Sequence, residues 1–554
     1  MKALTHPVST AFGLAVLCCL VLIAPIISLD HLLVFHDSGP PAAIFVSLLA
    51  DLAIVWFLIA LLLLRARKPG RVRVAIWSGV VLMFPWLLLE DGAILKAWSV
   101  HRRLGIALLL WSCLCWVGVN VFWRPGFQPH FERLVRFWKT VFVFLTLNNV
   151  VVVAQLLWCF WAARAIQAPR PLHVHSAQVA TIAQTQRPRV IWIILDELSY
   201  RQVYERRFPS LQLPAFDQLA SQATVFTHVE PAGVYTEEVV PSLMTGTPVN
   251  AIRPNVDGVR FSMHDPANGQ WVDFQERDTI FQDALEDGYS TAIAGWYEPY
   301  CRILPEVLDQ CYWTYKRDDD KGMFAESTAL ENTVAPFLYA TSRIAPRLAD
   351  SRYVARLGEA QIADFRDIYS AGDRFLADSS IDFLMLHLPV PHPGGIYDRR
   401  LGEFAAYGGS YIDNLVLADQ YLAHVHQLLQ QRGEWDSSAV IVMGDHSWRT
   451  AALWEGTPFW TAEDQRASDG GKFDPRPAYI VKLPGQSEGS RIEAAFPAIG
   501  TRALLQGILS GGIRTARDLA AFAHDAPEQR PVEHLSPEPR SVAQLADSRS
   551  GGSK

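Results

Sequence analysis

Val190-Ile191-Trp192-Ile193-Ile194-Leu195-Asp196-Glu197 is the stretch on which the fold turns. Six apolar residues, four of them β-branched, run without a polar interruption and end on two acids. A short continuous apolar run suits a strand covered on both faces, as in a parallel sheet. Similar runs follow at Ser290–Ala294, Ile381–His387, Ala439–Met443 and Ala478–Leu483, separated by longer amphipathic stretches. This alternation predicts a C-terminal α/β domain with a mostly parallel sheet over residues 188–515. Open α/β sheets bind ligands at the carboxyl ends of their strands, so the residues just after each run matter most.

Upstream the pattern is different. Five apolar stretches occupy residues 10–29, 42–64, 74–89, 104–123 and 140–162. A membrane span needs about 20 mostly apolar residues, which four of them meet. The third is short, carries Pro85 and stops before Glu90 and Asp91. The first lacks a small-residue cleavage site and is followed by more spans, so it reads as an anchor rather than a signal peptide. Residues 1–165 are therefore expected to form an α-helical membrane domain of five transmembrane helices. Loop 65–73 carries Arg65, Arg67, Lys68, Arg71 and Arg73, and loop 124–139 carries Arg124, Arg133, Arg136 and Lys139. Loop 30–41 has neither Lys nor Arg. Basic loops stay cytoplasmic, which puts the N-terminus inside and the second half outside. In a bacterium that is an inner-membrane protein with a periplasmic catalytic domain. Lys96, Arg102 and Arg103 fall on the outer side of this scheme, where anionic headgroups would suit them.

Composition agrees with two unlike halves. The 554 residues are 50% hydrophobic and 19% charged, which excludes a disordered chain. The net charge of -7 argues against a nucleic-acid partner, and it divides unevenly. Residues 1–165 hold 14 Lys and Arg against 6 Asp and Glu, while residues 166–554 hold 35 against 50. Residues 166–187, with Pro169 and Pro171, read as a linker, and 525–554 as a disordered tail. Only Cys301 and Cys311 lie in the second half, and an oxidising compartment would permit a bridge between them.

The strand ends carry the chemistry. The first run ends in Asp196-Glu197, the third in His387 followed by His392 among prolines, and the fourth in Gly444-Asp445-His446. Two carboxylates and an imidazole, with few cysteines, suit a divalent metal such as zinc or manganese. Without a cation such closely packed acids would repel. Between the first two runs, Thr236-Glu237-Glu238-Val239-Val240-Pro241 sets a hydroxyl at a helix start, where partial positive charge favours an anion. A threonine hydroxyl is a poor nucleophile alone, and coordination to a metal would activate it. Plainer readings stand beside these. Asp196 or Thr236 could simply cap a helix. Glu237 and Glu238 read as solvated first-turn acids. Trp296, Tyr297 and Tyr300 read as core packing or a bilayer-docking group.

In this order, an acid after the first strand, Thr-x4-Pro, a His-rich strand end and Gly-Asp-His, residues 188–515 resemble the alkaline phosphatase superfamily in its sulfatase-like branch. With spans in front, the chain is similar in layout to bacterial phosphoethanolamine transferases and lipoteichoic acid synthases. The resemblance implies that Asp196, Thr236, Asp445 and His446 hold the metal, with Thr236 as nucleophile. It sets His387 and His392 where substrate-phosphate contacts or second-metal ligands fall. Two departures count. Arylsulfatases convert a Cys or Ser two residues before a Pro into formylglycine, and here that position is Val239. Phosphoethanolamine transferases carry a further His about a dozen residues after the Asp-His pair, whereas this chain has none between His446 and His524. Trp448, Arg449 and Lys472 are the candidates to shape the phosphate or acceptor site instead, and Glu197 is a weaker candidate ligand. The expected activity is transfer of a phosphoryl-linked group, of phosphoethanolamine or phosphoglycerol type, from a phospholipid donor to an envelope glycan or lipid. A membrane-anchored phosphodiesterase or sulfatase-like hydrolase and a non-catalytic lipid- or glycan-binding scaffold are the alternatives.

Overall fold

The structure, a computed structural model, describes residues 7–27, 35–36, 41–80, 128–163 and 187–525, apart from 317–328, 335–345 and breaks of one or two residues, together with four residues between 109 and 116. Most of the expected spans at 74–89 and 104–123, and nearly all of the linker and tail, lie outside the described residues.

In the first half, helix Pro7–Ile27 packs against helices Pro41–Arg65 and Gln128–Ala163. Among the described residues, two helices are long and apolar enough to cross a membrane, Ile44–Arg65 and Pro129–Trp161, and Pro7–Cys19 is a shorter apolar stretch. The five-span layout is thus matched by two helices among the described residues. One boundary differs from expectation. The basic segment Arg133, Arg136 and Lys139 is no loop, because it lies on the long helix that continues into the apolar stretch. Polar side chains tie the helices together: Asn149 Nδ2 donates to Gly13 O (3.1 Å) and Thr146 Oγ1 to Ser9 O (3.0 Å). Gly13 permits this approach, since a Cβ there would stand 2.5 Å from Phe142 O. Phe57, Leu58, Leu62, Phe144 and Trp161 point outward, which suits an apolar surrounding.

The second half is built on an eight-stranded sheet. Its strands are β1 (Val190–Leu195), β2 (Thr224–Glu230), β6 (Thr291–Trp296), β7 (Gln310–Thr314), β8 (Phe383–Leu388), β11 (Ala439–Gly444), β12 (Tyr479–Lys482) and β13 (Ser490–Pro497). Two small antiparallel sheets supply β3 (Ala251–Pro254), β4 (Phe261–Asp265) and β5 (Gln270–Asp273), and β9 (Gly395–Asp398) with β10 (Glu403–Gly409). The large sheet runs β13-β2-β12-β11-β1-β8-β6-β7, and only β12 pairs antiparallel to its neighbours. The α/β architecture and mostly parallel sheet expected from the sequence are present. Strands β2, β7 and β13 and both small sheets escaped sequence reading. The reason is physical: β2 and β13 mix polar and apolar residues, and β13 and β7 are edge strands.

β1 lies between β11 and β8, and all six of its residues are buried. Ile191, Ile193 and Leu195 enter one core layer, and Val190, Trp192 and Ile194 the other. Helix Thr236–Thr245 covers the second layer through Val239, Val240, Leu243 and Met244. At about 25 cal/mol per Å², this two-sided burial is the main force holding the sheet. The register aligns Leu195 with Gly444 and with Leu388. Asp196, Asp445 and the segment after β8 therefore emerge at one edge.

Candidate metal and nucleophile site

Three chain segments meet at that edge. β11 ends at Gly444, which passes so close to Leu198 O (2.6 Å from a would-be Cβ) that a side chain would push away the segment after β1. Asp445 follows, fully buried. Its Oδ1 accepts the N–H of Glu197 (3.0 Å) and of His446 (2.7 Å). Its Oδ2 accepts the Thr236 hydroxyl (2.9 Å) and lies 3.2 Å from His446 Nε2. Thr236 Oγ1 is 3.5 Å from His446 Nε2, which is 3.9 Å from Asp196 Oδ1. The four residues expected to hold a metal converge on one buried point.

The plain capping reading of Thr236 does not fit this geometry. The helix cap is Tyr235, and Thr236 is the first helical residue with its hydroxyl directed to Asp445. Glu238 also departs from expectation, since it is buried rather than solvated. The helix start is sunk under the sheet edge instead of standing in water.

His446 Nδ1 donates to Ser447 O (3.2 Å), which turns the Nε2 lone pair toward the cluster. Burial and then the Arg449 charge push the His446 pKa down to about 3. His387, opposite Ile194 on β8, is pushed down to about 4 by burial. Both rings are therefore neutral at physiological pH, the form that ligates metals. Burial raises the Asp445 pKa, while His387 and the three donated hydrogen bonds pull against it. His387 Nδ1 is 2.7 Å from the Tyr300 hydroxyl, and its Nε2 has no hydrogen-bond partner among the described residues. Asp196, His387 and Asp445 offer ligand atoms within 4.8 Å of one another. Two carboxylates, a neutral imidazole and a hydroxyl, closed off from water, fit a divalent cation.

Glu197 and Arg449 have other work. Glu197 brings an oxygen near Asp196 and His446. However, Arg449 Nε bonds its Oε1 at 2.8 Å, Arg449 Nη2 pairs with the same oxygen, and Trp454 Nε1 donates to it at 3.0 Å. With its oxygens so engaged, Glu197 is a poor ligand. Arg449, expected to shape the phosphate site, is instead spent on Glu197 and on Val234 O (3.2 Å). Lys472 is exposed, and its described backbone bond goes to Ser468 O (2.8 Å), so it does not join the cluster. His392 stands one layer back. Its Nδ1 donates to Pro393 O (2.8 Å), and its ring meets Trp296 and Trp454 edge-on.

Sequence reasoning missed two positioning groups. Tyr300 orients His387, although the Trp296-Tyr297-Tyr300 group reads as packing in the sequence. Tyr411 donates to Glu197 O (2.8 Å) and stacks on Trp448 at 4.1 Å, with no local signal to mark it. Cys301 and Cys311 are joined by a disulfide that ties the segment after β6 to β7.

The sulfatase family model matches residues 188–469. No curated protein matches the chain. Among solved structures it is similar to the phosphonate monoester hydrolase of Agrobacterium radiobacter (15% identity, 58% of this chain and 74% of that one, TM-score 0.37). It is also similar to the phosphonate monoester hydrolase of Silicibacter pomeroyi (13%, 62% and 78%, TM-score 0.38) and to a sulfatase from Pseudoalteromonas sp. (15%, 59% and 69%, TM-score 0.38).

Proposed function

This chain belongs to the sulfatase family, and from that premise we propose that it is a metal-dependent, membrane-bound transferase. It moves a phosphoryl-linked group, of phosphoethanolamine or phosphoglycerol type, from a phospholipid to an envelope glycan or lipid. The observation that carries this reading is the buried Thr236 hydroxyl, 2.9 Å from Asp445 Oδ2. A nucleophile and a base within hydrogen-bond reach are the minimum for covalent group transfer. Val239 is a buried apolar residue where an arylsulfatase carries its modified Cys or Ser, which speaks against sulfate-ester hydrolysis by that route.

Asp196, Thr236, Asp445 and His446 are the residues that would hold the cation. When bound, it supplies positive charge to the Thr236 oxygen and to the phosphoryl oxygens as negative charge develops. Thr236 Oγ1 attacks phosphorus, and its proton passes to Asp445 Oδ2. The bond from phosphorus to the diacylglycerol oxygen breaks, and that oxygen leaves as an alcohol with the proton. An acceptor hydroxyl then gives its proton to Asp445 Oδ2 as its oxygen attacks phosphorus, the bond from phosphorus to Thr236 Oγ1 breaks, and that proton passes to Thr236. A donor that already holds a phosphoester explains why the enzyme is anchored beside phospholipid. Helices Ile44–Arg65 and Pro129–Trp161 support that anchoring, and the Cys301–Cys311 disulfide supports an oxidising, periplasmic setting.

Purified full-length protein given headgroup-labelled phospholipid and envelope glycan tests the reading. Label should pass through Thr236 to the glycan, and Thr236→Ala should abolish both steps. Label recovered only as a water-soluble phosphoester would show a membrane-anchored hydrolase. Full transfer by Thr236→Ala would overturn the mechanism.

A further inference from the structure

Phe35 and His36 belong to the segment joining helices Pro7–Ile27 and Pro41–Arg65, yet they pack inside the α/β half. Phe35 is fully buried in the core layer beneath the site, with its ring 5.3 Å from that of Phe261. Its carbonyl accepts Arg302 Nη1 (3.3 Å). The His36 ring lies over Tyr297 at 4.2 Å, and its Nε2 is 3.7 Å from Glu298 Oε2. Glu298 is fully buried, and neither carboxylate oxygen has a hydrogen-bond partner among the described residues. Burial pushes the Glu298 pKa up, and His36 is the first influence that pulls it back. A buried carboxylate without a basic neighbour is costly, and the His36 imidazole stands within ion-pair distance of Glu298.

That turn touches the site twice. Tyr297 donates to Glu237 Oε2 (3.3 Å), next to Thr236, and Tyr300 meets His387 Nδ1 (2.7 Å). Tyr297 also adopts a φ of 72°, a left-handed conformation unfavourable for an aromatic residue and kept only where the surroundings enforce it. We propose that His36, from the segment between helices Pro7–Ile27 and Pro41–Arg65, is a positioning residue: by pairing with Glu298 and packing its ring against Tyr297 it holds the turn that sets Glu237 and His387 around the nucleophile. The activity part of this inference rests on the transferase reading, and the structural part does not.

The test uses the full chain in detergent. Amide hydrogen exchange is followed over 233–240 and 296–303, with Val190–Leu195 as internal reference. Diacylglycerol release is measured from mixed micelles of phosphatidylethanolamine and phosphatidylglycerol. His36→Ala should speed exchange in both site segments about tenfold while leaving β1 unchanged. It should lower kcat about tenfold and leave KM within about twofold. Adding Glu298→Gln to His36→Ala removes the orphaned charge, so both readouts should return to within about threefold of wild type. Unchanged exchange in His36→Ala, equal acceleration in β1, or no rescue by Glu298→Gln would overturn the proposal. If wild-type protein releases no diacylglycerol, the transferase reading fails, and exchange with its rescue alone decides the positioning role.

Discussion

At the end of β1 two consecutive acids are buried in two different ways. Asp196 stands with Asp445 and His446, and the Thr236 hydroxyl bonds Asp445, so this corner gathers carboxylates, an imidazole and a hydroxyl, with the Arg449 charge acting on it from the Glu197 side. Glu197 turns to the other side, on a backbone φ of 63°, and is met by Arg449 and Trp454. The Glu197 corner is complete within the chain. The Asp196 corner concentrates negative charge that an ion from outside would balance. Burial of an acid is therefore not by itself a sign of a site. What sets the Asp196 corner apart is that its carboxylates stand within reach of a neutral imidazole and a hydroxyl, the groups a cation would share.

The contrast between the corners breaks most visibly at Asp445. Asp445→Asn should remove the proton acceptor of Thr236, lowering turnover by about 10²–10⁴-fold. Bound divalent metal, measured by mass spectrometry of purified protein, should fall with it, while the fold survives because the substitution is isosteric. Wild-type metal content and turnover would mean that the cluster is not the active centre. At the clamp the prediction is the reverse, a loss of stability first. Arg449→Ala leaves Glu197 buried and unpaired, which costs about 3–5 kcal/mol. Adding Glu197→Gln should recover most of it in thermal melts, and failure to recover would show that the arginine acts through something besides charge pairing.

A third buried acid sharpens the contrast with the smallest effect. Asp364 is surrounded by neutral donors, Trp296 Nε1 (3.1 Å), Thr314 Oγ1 (2.7 Å) and Lys316 N (3.1 Å). Burial raises its pKa from 3.8 to about 6 despite these bonds and the nearby Lys316 charge. Between these values the folded state holds a proton that the unfolded state has lost. Its contribution is therefore full below about pH 4 and is lost as pH rises through 6. The loss is on the order of 2–3 kcal/mol. Denaturant titrations of wild type and Asp364→Asn should show a difference that varies with pH over that window, and a constant offset would refute the assignment.

Much of this was legible beforehand, and the failures obey a rule. Continuous apolar runs exposed the central strands β1, β6, β8, β11 and β12, because a strand covered on both faces needs little but apolar residues. The mixed strand β2 and the edge strands β7 and β13 stayed hidden, since partial burial leaves a weaker pattern. Within the site, Asp196, Thr236, Asp445 and His446 were visible as chemically apt residues at predicted strand and helix ends. Arg449 and Lys472 were read by residue type, and the structure sets the first on Glu197 and leaves the second exposed. Residue type says that a cation is present, but not which acid has already claimed it or whether water has.

From the sequence alone came the class of fold, the two-part character of the chain and the ligand types gathered at one sheet edge. These are local properties, carried by runs of a few residues and by the side chains directly after each run. Tertiary structure alone decided which neighbour of a pair turns toward the cluster and that Arg449 belongs to Glu197. It also brought Phe35 and His36, more than 250 residues from Tyr297 in sequence, into the wall behind the nucleophile. Such choices depend on packing between distant segments, and no local pattern encodes a contact whose two sides are read so far apart.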